Sequence, residues 1–153
     1  MGTNVYFLSK DKNAVHKYFG CDSYTLTDEP YFAYEVHVMK RSAGWLPLWQ
    51  AHENCTSVSD YRKAYDSGLF AIYDEYGDKY NWEEFWEQFA MFNGGVRGEM
   101  PLEHIDIDKQ SPFYDPCMPD HVPVSHFEYN YGSYANQFFA DSNGFEFMIG
   151  DFS

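Results

Sequence analysis

His104, Asp106 and Asp108 recur at every second position. On a strand that alternation puts all three on one face, where one imidazole and two carboxylates would reach a divalent cation. A solvated strand face accounts for the same pattern, and neither a metal nor a cofactor is assigned to the chain. His52 with Cys55, and the loop set Asp115, Cys117, Asp120 and His121, carry ligand-type atoms but lack the paired spacing of a zinc site. Cys21, Cys55 and Cys117 are possible nucleophiles and six histidines are possible bases. No GxSxG, GxGxxG or Walker pattern accompanies them. No enzymatic activity is therefore expected, and no residue is read as catalytic.

Charge is the stronger signal. Residues 77–153 hold 14 acids against three cations, Lys79, Arg97 and Lys109, whereas residues 1–76 hold 10 acids against seven bases. The formal net charge is −14. Such a surface repels phosphate backbones, so direct nucleic-acid binding is not expected. It attracts basic partners. The acids read as a partner-binding set are Glu83, Glu84, Glu87, Glu99, Glu103, Asp106 and Asp108. The competing reading is a ligand site at Lys40, Arg41, Ser42 and Trp45, which combines a basic step, a flexible turn and a ring. Trp45, Trp49, Trp82 and Trp86 would then line a cleft for a flat ligand such as a nucleobase, although core packing is the commoner role for such rings.

These residues need a scaffold. A length of 153 residues fits one domain, 1–153, with enough buried surface for a core. Aromatics make up 21% of the chain, which excludes a disordered acidic tail. Strands are expected at 5–8, 31–39, 43–51, 69–73, 105–107 and 145–149, with Pro47 demoting 43–51 to an edge or bulged strand. A helical turn is expected at 13–19. A helix near 57–67 has Ser57 as its cap and Gly68 as its stop. A second, at 82–92, has Asn81 and Glu84 as a capping pair and Trp82, Phe85, Trp86 and Phe89 on one face. Residues 111–123 contain four prolines and read as a loop. The expected fold is α+β, a small, mostly antiparallel sheet with the two main helices on one face. No run is long and apolar enough for a membrane span, and no signal-peptide pattern opens the chain, so an intracellular protein with reduced thiols is expected.

Several stretches resemble a group of small, uncharacterised phage and prophage proteins. They are the opening Met1-Gly2-Thr3-Asn4, the segment His37 to Trp45 with its Lys40-Arg41-Ser42-Ala43-Gly44-Trp45 core, the Asp74-Glu75-Tyr76-Gly77 turn before the acidic helix, and the Gly144-Phe145-Glu146-Phe147 close with Phe152-Ser153. Many members of that group carry a Cys-x-x-Cys pair near the start, where this chain has Cys21 alone. The resemblance implies a phage accessory protein in the cytoplasm of an infected bacterial host cell. Charge and setting together give the expected function: an acidic inhibitor that mimics nucleic acid, of the anti-CRISPR or anti-restriction type. Its partner would be a basic host nuclease or effector with a cationic nucleic-acid channel. The alternative is a binding or sponge protein for a nucleotide signal, with an aromatic pocket.

Overall fold

Two long strands form the axis of the sheet. β1 (Gly2–Ser9) and β3 (Tyr34–Ser42) pair antiparallel from Gly2 opposite Ser42 to Ser9 opposite Tyr34, with a bulge between Val5 and Tyr6. The computed structural model describes residues 2–21, 23–43, 46–96, 104–106, 121–123, 138–150 and 152. On one side of β1 lie β5 (Ala71–Asp74) and then β6 (Lys79–Tyr80), both antiparallel. On the other side, β3 pairs with β2 (Thr25–Leu26) along one stretch and β4 (Leu48–Gln50) along another. Beyond β4 come β10 (Glu146–Met148) and β9 (Phe138–Ala140). The β4–β10 pairing is parallel, the exception in an otherwise antiparallel sheet. A separate antiparallel pair joins β7 (His104–Asp106) to β8 (His121–Pro123).

Among the described residues, three α-helices complete the α+β fold. α1 (Lys12–Tyr18) starts where the Asp11 carboxylate accepts the Ala14 N–H at 3.1 Å. α2 (Val58–Asp66) is capped by Ser57, whose Oγ accepts the Asp60 N–H at 3.1 Å. It stops at Gly68, whose φ of +76° is left-handed and suits a residue without Cβ. α3 (Trp82–Phe85) runs directly into a π-helical turn at Trp86–Ala90.

The helices bury aromatic rings against one sheet face. Phe7 of β1 lies 6.0 Å from Phe19 and 5.6 Å from Tyr61 of α2, edge to face in both cases. Trp49 and Phe147 sit side by side on β4 and β10 and stack at 6.0 Å, with Phe85 of α3 edge-on to Trp49. All six rings are fully buried. Each such burial stabilises by about 1.5–3 kcal/mol, and favourable ring geometry adds to it. The Tyr61 hydroxyl donates to the Gln50 carbonyl at 2.5 Å, so its burial leaves no lost hydrogen bond.

Three expectations are corrected. Pro47 does not mark an edge: it lies just before β4, which is flanked by β3 and β10 and so needs its own N–H groups from Leu48 onward. Residues 121–123, expected in a loop, form β8, and Pro123 is tolerated at its end opposite His104. The strand expected at 31–39 begins at Tyr34, because Phe32 adopts φ +42° in the preceding turn.

Candidate functional site

Helix α3 owes its start to a reciprocal cap. Asn81 Oδ1 accepts the Glu84 N–H at 2.8 Å, and Glu84 Oε1 accepts the Asn81 N–H at 3.0 Å. Glu84 is therefore committed to folding. Glu83 and Glu87 are exposed, one turn apart, and make no hydrogen bond or ion pair among the described residues. The π-turn follows from a wider bond, Met91 N–H to the Trp86 carbonyl at 2.9 Å, five residues back. Arg41 closes the far end. Its Nη1 donates to the Gln88 carbonyl at 2.8 Å, and its guanidinium lies 4.2 Å from the centre of the Phe89 ring and 5.2 Å from that of Phe92. A cation at a helix C-terminus also opposes the macrodipole.

A cleft of about 510 Å³ opens between α2 and α3. Val58, Ser59 and Arg62 form one wall, and Trp82, Glu83 and Trp86 the other. Trp82 and Trp86 stack at 5.8 Å, and the half-buried Trp86 rests edge-on to Phe145 at 5.4 Å. Arg62 stands 5.0 Å over the Trp82 ring and pairs with Asp66 at 3.0 Å. Asn143 completes the lining, held there by Asp141. One Asp141 oxygen accepts the Asn143 and Phe145 N–H groups, each at 3.0 Å, while the other accepts the Val58 N–H at 2.9 Å. That carboxylate ties the β9–β10 turn to the N-terminus of α2, where negative charge is favoured.

A polar row crosses the opposite sheet face. Gln50 is buried, and its Nε2 faces the Met148, Ile149 and Gly150 carbonyls at 3.1–3.2 Å. That orientation turns Gln50 Oε1 towards His37 Nδ1, 3.1 Å away. His37 Nε2 lies 2.9 Å from Asn4 Oδ1. Both ring nitrogens are engaged, so His37 is a structural histidine rather than an open base. His52 Nε2 donates to the His37 carbonyl at 2.7 Å. Cys55 is buried, and burial, with Asp60 nearby, pushes its thiol well above the ordinary range. That is the opposite of an activated nucleophile. Among the described residues no three His, Cys, Asp or Glu side chains gather as a metal site.

Of the residues singled out in the sequence, Glu83, Glu84 and Glu87 share α3 and its π-turn, and Asp106 lies on β7. Glu99, Glu103, Asp108, Cys117 and Trp45 fall outside the described residues. Lys40, Arg41 and Ser42 lie on β3, where alternation divides them between the two faces and Arg41 is engaged by the π-turn. Trp49 belongs to the core, leaving Trp82 and Trp86 as the aromatic wall. Ser59, Arg62 and Asn143 face that wall, brought there by α2 and the β9–β10 turn rather than by spacing along the chain. No helix among the described residues is long and apolar enough to cross a membrane. No protein-family model, curated protein or solved structure matches this chain.

Proposed function

We propose that this protein binds other proteins, docking the outer face of α3 onto the cationic nucleic-acid channel of a host defence factor. The observation that supports it most is the pair Glu83 and Glu87, exposed on a capped helix and tied to no donor among the described residues. A nuclease, restriction enzyme or CRISPR effector lines its channel with Lys and Arg to hold phosphates. Carboxylates at fixed spacing compete for those groups, and the half-buried Trp86 beside them supplies an apolar anchor. Glu99, Glu103, Asp106 and Asp108 add charge of the same sign downstream. The resemblance to small phage proteins supports the cytoplasm of an infected bacterium as the setting.

The test is affinity capture from infected-cell lysate at low and high salt, with the bound proteins identified. The wild type should retain a basic nucleic-acid-binding protein at low salt and release it at high salt. The variant Glu83→Gln/Glu84→Gln/Glu87→Gln should not retain it; Glu84→Gln keeps a side-chain oxygen for the cap, so the helix survives. Equal retention by wild type and variant overturns the proposal.

A second reading draws on the α2–α3 cleft: capture of a nucleotide, its base on Trp86 and its phosphate near Arg62. Asp66 already neutralises Arg62 at 3.0 Å, which weakens this reading.

A further inference from the structure

We infer that the cleft between α2 and α3 is an arginine-binding subsite, taking one guanidinium from the cationic partner. This rests on the protein-binding function proposed above and gives that interface its specificity.

The charge inventory decides the sign of the ligand. Arg62 is paired with Asp66, so its charge is spent within the chain. Glu83 lines the same cleft with no partner among the described residues. The opening is left with one uncompensated negative charge, which selects a cation over a phosphate.

The rings decide which cation. An indole face attracts a planar guanidinium by stacking and by cation–π attraction, and an ammonium offers only the second. The molecule already uses this contact twice along the same row. Arg62 lies 5.0 Å over Trp82, and Arg41 lies 4.2 Å over Phe89. Trp86, between those two rings in sequence, is half-buried, lines the cleft and carries no guanidinium from among the described residues. A guanidinium over Trp86 would have Glu83 beside it as a carboxylate acceptor, with the Asn143 amide and the Ser59 hydroxyl at the rim. A volume of about 510 Å³ admits a whole arginine side chain with part of its backbone.

The experiment compares a hexa-arginine and a hexa-lysine peptide as probes of the full-length protein at low salt. Titrations are followed by the indole N–H signals of the four tryptophans in a ¹H–¹⁵N spectrum. Trp86 also packs on Phe145, so the variant used is Glu83→Gln, whose side chain is exposed. Hexa-arginine should bind about fivefold more tightly than hexa-lysine. It should shift the Trp86 and Trp82 signals and leave the buried Trp49 signal in place, and Glu83→Gln should erase most of the preference. Equal binding of the two peptides without a Trp86 shift overturns the subsite but leaves the protein-binding function standing. Failure of both peptides to bind overturns the two together. A Trp86 shift with adenosine monophosphate and none with hexa-arginine overturns the subsite in favour of nucleotide capture.

Discussion

The β5–β6 hairpin and α3 with its π-turn each hold three carboxylates within five residues: Asp74, Glu75 and Asp78 in the first, Glu83, Glu84 and Glu87 in the second. In the turn, Asp74 is buried. Its Oδ1 accepts the Tyr76 and Asp78 N–H groups at 2.9 and 3.0 Å, and its Oδ2 accepts the Tyr80 hydroxyl at 2.8 Å. Glu75 accepts the Asn4 N–H at 2.8 Å and so anchors the turn to β1. In α3 only Glu84 is used this way. Two stretches of equal charge thus do different work. In the first, Asp74 and Glu75 are taken up by hydrogen-bond donors and Asp78 stays exposed; in the second only Glu84 is taken up, and Glu83 and Glu87 both face solvent. Negative charge by itself says which partners are attracted; hydrogen bonding says which carboxylates remain able to meet them.

Substitutions should separate the two regions. The largest effect is expected from Asp74→Ala, which removes a buried carboxylate that accepts from two backbone N–H groups and a tyrosine hydroxyl. A loss of about 3 kcal/mol is expected, read as a fall in Tm of roughly 6–12 °C. Glu84→Ala removes half of a capping box and should cost about 1 kcal/mol in urea denaturation. A milder effect is expected at alkaline pH. Burial, and then the hydrogen bond to Asp74, push the Tyr80 hydroxyl up to about 12. The folded state therefore holds this proton more tightly than the unfolded chain, whose tyrosines titrate near 10. The resulting stabilisation is complete below about pH 10 and is lost as pH rises from there towards 12. Tyr80→Phe should flatten the stability curve across that interval, while Tyr61 and Cys55, whose values are also raised, act alike in both proteins. The smallest effect is expected from Glu83→Gln/Glu87→Gln, within about 0.5 kcal/mol of wild type. Relief of their mutual repulsion and loss of favourable first-turn charge nearly cancel.

Local signals carried much of the scaffold. Ser57 before α2, and Asn81 with Glu84 before α3, are caps whose partners lie within three residues, so spacing alone exposes them. The same holds for the aromatic stripe through Trp82, Phe85 and Phe89. What local spacing does not reveal is longer-range pairing. Arg41 reads as a free cation beside a flexible turn until the Gln88 carbonyl, 47 residues away, takes its guanidinium. His37 is one of six equivalent histidines until Gln50 and Asn4, 13 and 33 residues distant, hold both its nitrogens. The cleft was legible only as tryptophans: Arg62 reaches it from α2 and Asn143 from a turn stapled to that helix by Asp141. The parallel β4–β10 pair likewise joins strands almost 100 residues apart, beyond any periodicity argument.

The most direct test of the proposed role is the salt dependence of binding to the captured basic partner, compared across wild type, Glu83→Gln/Glu87→Gln and a control, Asp28→Asn/Glu29→Gln. Both pairs remove the same charge from the surface. If α3 is the docking face, its variant should bind about tenfold more weakly with a shallower salt slope, and the control should match wild type within about twofold. Equal weakening by the two variants would mean that attraction is spread over the whole acidic surface, which contradicts a docking face on α3.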